Sequence, residues 1–373
     1  MTGVDGLARS RDVAAAAAAG ASRRRLRRDA RVVAMFAGLA VAIVIAALVS
    51  AAIGQYHLPL GAVADSVLHG LSGPLHLGAP IPDPFGEATL WQVRLPRIVM
   101  ALLVGAALSC SGALLQGVFG NPLADPGVIG VSSGAALGAS IAIVTGVGAL
   151  GSFAIAGSAF TMGLAATVLI YALSRGSSRT ETVTLVLTGI AVNAVCGAGV
   201  ALCTYLGTQA QLDQIVFWQL GSLNGSQWGY VVTMLPLAAV GMIGAFALSR
   251  RLDLLALGDR SARHLGVDVE RLRLVAIILA AATVAAAVAF SGIIAFVGLV
   301  VPHLLRAIVG PGHRVLLPMS ALGGALLLVV ADTVARNAIA NVDLPIGMLT
   351  TFVGGPFFLW QLRRTRARAG GWA

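Results

Sequence analysis

The chain has 373 residues, 58% hydrophobic, 11% charged and 6% aromatic, with a formal net charge of +10 and a mean hydropathy of +0.90. Soluble domains carry about 45–50% apolar and about 25% charged residues, so a water-soluble globular enzyme is excluded. The chain has 25 arginines and no lysine, which excludes a Walker A phosphate loop and a lysine Schiff base in this chain.

The composition predicts one integral membrane domain, residues 32–362. A basic cytoplasmic tail, 1–31, precedes it, and a short cytoplasmic tail, 363–373, follows it. A bilayer core takes about 20 apolar residues per helix. Ten spans satisfy this in chain order: 32–53, 98–119, 128–147, 152–173, 183–206, 231–248, 274–290, 293–309, 315–334 and 346–362. Pro302, His303 and Arg306 interrupt the eighth. The tail carries Arg23, Arg24, Arg25, Arg27 and Arg28 ahead of an apolar run longer than a signal peptide needs, so a retained first helix is predicted.

With the N-terminus in the cytoplasm and sides alternating, 22 of the 25 arginines fall on cytoplasmic segments. This bias is the positive-inside pattern and supports an even number of spans, with both termini inside. Arg94, Arg97 and Arg336 are the exceptions. Topology and anionic lipid explain the positive charge, and no nucleic-acid partner is expected.

Residues 55–90 form a long outer loop holding His57, His69 and His76. Their spacing matches no metal signature, and solvated loop histidines are the plain reading. Next, Asn121-Pro122-Leu123-Ala124-Asp125-Pro126-Gly127 joins the second and third spans. Proline cannot continue a helix, and Asn or Asp before proline starts a turn through its side chain, so a rigid corner is predicted at the cytoplasmic face. Gly130, Gly134 and Gly138 follow at intervals of four, a smooth stripe against which another backbone can pack. The same run offers Ser132 in a nucleophile-elbow pattern, but an elbow needs a strand–turn–helix and acid and histidine partners. Cys110, Cys196 and Cys203 lie in apolar runs and read as packing residues.

The loop 250–273 holds six arginines. From Asp259 to Leu265 it can form a short helix stopped by Gly266, with Ala262 and Leu265 on one face flanked by Arg260 and Arg263. Apolar residues there suit docking of a cytoplasmic partner. Within the spans Asp332 is nearly the only charge, with Arg336 four residues on. A proton-coupled carrier shows carboxylates or histidines mid-membrane. Without them, energy must come from another chain.

The run Trp91-Gln92-Val93-Arg94-Leu95-Pro96-Arg97, the second span with Gly112 and Gln116, the corner 121–127 and Val131-Ser132-Ser133-Gly134 resemble the permease subunits of type II ABC importers. These import ferric siderophores, haem and cobalamin. The runs Gly298–Arg306, His313–Pro318 and Leu344-Pro345-Ile346-Gly347 fit as well. The resemblance implies an all-α polytopic membrane protein of about ten helices with an inverted repeat, in a bacterial inner membrane. It implies a homodimer with a central pathway, two cytoplasmic ATPase subunits that bind ATP and Mg, and a periplasmic binding protein. No cofactor is implied in this chain. Arg94, Arg97 and Arg336 match outer-face arginines that pair with carboxylates of the binding protein. Asn121, Leu123 and Thr182 match the cytoplasmic gate, with Val183 adjacent. The segment holding Gly258, Asp259, Arg260, Ala262, Arg263, Leu265 and Gly266 matches the coupling helix of the ATPase contact. The segments 125–130 and 310–313 look most like haem importers, so haem is the expected cargo, with a ferric siderophore or cobalamin as alternatives. An ion-coupled secondary carrier and a membrane hydrolase using Ser132 are rivals from other classes.

Overall fold

A computed structural model describes residues 30–73, 77–175, 182–339 and 342–368. The described chain divides into two units between Ala42 and Ile43. In the first, described residues 30–42 are helical and begin α1 (Ala30–Ala52); the second contains everything that follows.

After α1 the chain forms α2 (Leu60–Ser72), α3 (Pro84–Ala88), a π-helical turn (Thr89–Arg94) and α4 (Leu95–Phe119). A 3-10 turn (Pro126–Ile129) leads into α5 (Val131–Val144), and another (Val147–Leu150) into α6 (Ser152–Leu173). Then come α7 (Thr182–Leu206), α8 (Gln209–Leu220), α9 (Trp228–Leu255), α10 (Asp259–His264), α11 (Val269–Ser291), α12 (Val297–Val309), α13 (His313–Asn337) and α14 (Ile346–Arg368). Among the described residues there is no strand, only an isolated bridge between Ile339 and Val342.

All ten predicted spans fall on helices: α1, α4 to α7, α9 and α11 to α14. Seven described helices are long and apolar enough to cross a membrane, while α5 and α12 are apolar but shorter. The eighth span begins four residues later than predicted. Gly292 ends α11 at φ 66°, and residues 293–296 run non-helically to Phe296, itself left-handed at φ 68°. The outer loop is also more structured than expected, because α2 and α3 lie within it. There Ser66 donates to the Glu87 carboxylate at 2.8 and 2.9 Å and accepts from Trp91 Nε1 at 3.0 Å, which pins α2 to the start of the α4 column.

The buried centre is made by α4, α11 and α13. Their most apolar stretches are 78%, 67% and 61% buried, against 22% for α7, which leaves most of its apolar surface outward. Close approach makes this centre possible. A Cβ on Gly112 would strike the carbonyl of Gly298 in α12, and one on Gly105 would strike that of Gly324 in α13. The stripe expected at Gly134 and Gly138 also meets a backbone, the Met162 and Ser158 carbonyls of α6.

Gln116 completes the α4–α12 contact. Pro302 has no N–H, so the Gly298 carbonyl four residues earlier loses its helical donor. Gln116 Nε2 donates to the carbonyls of Gly298 and Leu299, both at 3.3 Å, while the Gln116 side chain is buried.

Candidate functional site

At one end of the helices, Arg94, Arg97 and Arg336 converge from the π turn, α4 and α13. Arg94 caps the end of α1: it donates to the carbonyls of Ala51 and Ala52 and to that of Tyr56. The Ala51 and Ala52 carbonyls belong to the last turn of α1, where helical donors run out and a cation is favoured by the helix dipole, and the Tyr56 carbonyl lies in the loop that follows. Arg336 Nη2 donates to the Ser50 carbonyl and hydroxyl, both at 2.7 Å, and its Nε lies 3.4 Å from Asp332. Arg97 donates through Nε to Asp332 at 2.9 Å, and through Nη1 and Nη2 to Asp343 at 2.7 and 3.0 Å.

The three arginines are therefore turned inward onto their own chain, with Arg94 5% and Arg97 7% exposed. The spacing of Asp332 and Arg336 foretold one pair, but Asp343 and the carbonyl partners had no local sequence signal. The guanidiniums still border a cavity of about 410 Å³ whose lining includes Tyr56, Phe85, Arg94, Arg97, Arg336 and Asp343. On its rim Tyr56 donates to Asp83 at 2.5 Å. That bond, with N–H donors from Gly86 and Phe85, lowers the Asp83 carboxyl below its usual range and raises the Tyr56 hydroxyl.

The opposite end holds the predicted corner. Asn121 Oδ1 accepts from Leu123 N at 2.9 Å, and Asp125 Oδ1 accepts from Gly127 N at 2.8 Å. Both proline turns are thus closed by their Asn or Asp side chains. Burial pushes the Asp125 carboxyl above its ordinary value, against the opposing effect of the Gly127 bond. Asn193 Nδ2 of α7 donates to the Gly127 carbonyl at 3.3 Å and ties the corner to that helix. Leu123 projects beside Leu299, Val300 and His303 of α12 and Phe358 and Gln361 of α14, and the His303 ring bonds the Pro122 carbonyl. Asn121 and Leu123 are exposed on this corner. Thr182 begins α7, but its side chain lies outside the described residues.

On the same end α10 projects between α9 and α11. Gly258 precedes it at φ 99°, and Gly266 follows at φ 84°. The Gly266 N–H bonds the Arg263 carbonyl and the Val267 N–H the Ala262 carbonyl, both at 3.0 Å, the Schellman pattern that a left-handed glycine permits. Arg273 Nη2 of α11 holds both Asp259 oxygens at 3.1 and 3.0 Å. Ala262 and Leu265 do not share an outward face as expected. Ala262 is fully buried, whereas Leu265, past the end of α10 at His264, leaves the helical phase and is exposed. The outward surface is instead Leu257 and Leu265 with Arg260, Arg263 and His264.

Other sequence candidates do not assemble into sites. Ser132 sits in the first turn of α5, entered from a 3-10 turn rather than a strand, which removes the elbow geometry. His57 is exposed, His69 is half-buried, and His76 lies outside the described residues. Among the described residues, no three His, Cys, Asp or Glu side chains group to hold a metal. The cysteines are unpaired thiols, Cys110 and Cys196 buried and Cys203 partly so. A further cavity of about 570 Å³, at the Arg97 end, is lined by Phe217, Trp218, Tyr230 and Phe290 with Asp213 and Asn224.

A polytopic helical domain with a structured corner and a projecting helix at one face, and a charged depression at the other, defines a membrane permease. The FecCD transport family matches residues 35–364, and the chain belongs to it. It is 44% identical over 290 residues to the hemin transport system permease protein HmuU of Yersinia pestis, covering 76% of this chain and 85% of that protein. It is 40% identical over 372 residues to the cobalamin import system permease protein BtuC of Halobacterium salinarum, covering 91% of this chain and 99% of that protein. Among solved structures, a metal-chelate type ABC transporter in an inward-facing conformation aligns with a TM-score of 0.77 and 36% identity, over 88% of this chain and 98% of that one. The chain is a permease of a type II ABC importer. Family membership sets aside the secondary-carrier and hydrolase readings.

Proposed function

We propose that two copies of this chain form the membrane pathway of an ATP-driven importer that moves haem from periplasm to cytoplasm across a bacterial inner membrane. Two ATPase subunits bind ATP and Mg and engage α10 at the cytoplasmic face. A periplasmic binding protein delivers cargo at the face bearing Arg94, Arg97 and Arg336. The chain itself carries no cofactor and catalyses no reaction.

The observation that carries this reading is α10. A helix of six residues is too short to hold its shape alone, yet it is fixed at both ends by glycines and tied to α11 through Arg273 and Asp259. A force on the exposed Leu257 and Leu265 that flank it passes directly into α9 and α11. The corner 121–127 lies on the same face, with Asn121, Leu123 and Thr182 as the inner gate. ATP binding in the partner would move α10, and the shared helices would move the corner.

Haem is favoured by the hemin permease likeness and by segments 125–130 and 310–313. Apolar walls without fixed ligands suit a large chelate that must be released. Cobalamin is the second reading, favoured by the longer match to the archaeal permease. Uptake of haem, ferric siderophore and cobalamin in competition, by the complex in proteoliposomes, tests the cargo. Haem uptake unaffected by excess cobalamin supports the first reading, and cobalamin uptake without haem uptake overturns it.

A further inference from the structure

Arg97 is saturated by two carboxylates of very different standing. Asp332 is 1% exposed and also faces Arg336 at 3.4 Å, so it is locked into the buried network. Asp343 has a 27% exposed side chain, lies at the cavity mouth, and among the described residues its carboxylate bonds Arg97 alone. It occupies the outer edge of the guanidinium fork through two parallel N–H···O bonds, the geometry with which arginine takes any carboxylate.

We propose that Asp343 is a built-in stand-in for the docking carboxylate: it holds Arg97 while the outer face is empty, and an acidic side chain of the binding protein displaces it on docking. This rests on the reading above that the arginine face receives that protein. Three guanidiniums face two carboxylates here, so a vacated Asp343 position would leave two cations uncompensated. An incoming acid restores the balance that Asp343 provided. Exchange of one carboxylate for another costs little at a position open to the cavity mouth, whereas Asp332 is too deeply buried to exchange. The cavity beside Asp343 has room for such a side chain. The stand-in gives the Nη1 and Nη2 donors of Arg97 a second carboxylate, beside the one Asp332 provides, between docking events. It also weakens docking, which lets the binding protein leave.

The test uses the intact complex in nanodiscs and the binding protein that supports uptake through it, with Kd measured on an immobilised surface. Asp343→Asn removes the competing charge and is expected to tighten Kd about fivefold. Asp343→Ser, a second uncharged variant, is expected to do the same, and Asp343→Glu to stay near wild type. In an Arg97→Gln background, adding Asp343→Asn is expected to change nothing. If Arg94→Gln and Arg97→Gln weaken docking while both uncharged Asp343 variants leave Kd unchanged or weaker, the stand-in is wrong and the docking face survives. If Arg94→Gln, Arg97→Gln and Arg336→Gln all bind like wild type, the docking face itself falls and the stand-in with it.

Discussion

Arg97 in α4 and Asp332 in α13, 235 residues apart in sequence, are bonded at 2.9 Å in the interior of the helix bundle. The pair joins two of the three helices that form the buried centre. Removing Asp332 takes the buried carboxylate from both Arg97 and Arg336 and leaves Arg336 a desolvated cation without an acid, which costs about 3–5 kcal/mol. Asp332→Ala is therefore expected to lower the thermal midpoint of the detergent-purified protein sharply. Asp343→Ala, at the cavity mouth, is expected to lower it much less. Equal losses for the two would mean that the buried and exposed halves of the network are not distinct.

Gln116 offers a test of the proline-freed carbonyl. Gln116→Leu keeps the volume and removes the donor to Gly298 and Leu299, so about 1–3 kcal/mol of stability is expected to be lost. Introducing Pro302→Ala into that background restores a backbone N–H for Gly298 and is expected to recover part of the loss. Absence of any recovery by thermal unfolding would contradict the assigned role of Gln116.

Two helical glycines are expected to respond oppositely to alanine. At Gly112 a methyl group meets the Gly298 backbone and must separate α4 from α12, an overpacking cost of about 1–3 kcal/mol. At Gly157 in α6 a methyl group meets nothing within 4 Å, and alanine stabilises a helix interior by about 0.5–1 kcal/mol. The melting temperatures of the two variants should bracket that of the wild type.

Asp125 links the corner to pH. Its carboxyl is raised above 3.8 by burial, so the folded chain binds a proton more readily than the unfolded chain. The contribution of Asp125 to stability is then greatest below 3.8, falls as pH rises through the raised folded value, and is constant above it. Asp125→Asn keeps an acceptor for the Gly127 N–H without a charge. It is expected to be at least as stable as wild type at neutral pH and to lose its advantage in acid. Asp125→Ala loses the turn and is expected to be less stable at both. A stability difference between wild type and Asp125→Asn that does not vary with pH would contradict the raised value.

Leu265→Glu probes the projecting helix without touching the core, because Leu265 is 57% exposed. Retention of the ATPase subunits during purification is expected to fall about tenfold or more, as for loss of an apolar anchor at an interface. The permease should keep its own thermal midpoint. Undiminished retention would remove α10 from the contact.

The spans, the corner and the short helix were legible because their signals are local. Twenty-residue apolar runs, Asn-Pro and Asp-Pro pairs, and Gly266 after Asp259 each act within a few positions. The arginine bias singled out Arg94, Arg97 and Arg336, but not what holds them, since Asp343 and the Ser50 and Ala51 carbonyls are distant in sequence. The burial of Ala262 was hidden because it depends on how α10 packs against α9 and α11, not on the spacing within the segment. Phe296 gave no warning of its left-handed backbone, since only glycine advertises that conformation. Helices α2 and α8 were too short to stand out by length. They persist because partners such as Glu87 and Trp91, or the Thr208 cap on Gln211 N, hold them.

The most direct measurement is haem accumulation in proteoliposomes with ATP inside, comparing the permease alone with the permease plus its ATPase and binding protein. Uphill uptake only by the full set, lost without ATP, is the predicted result. Uphill uptake by the permease alone would contradict it.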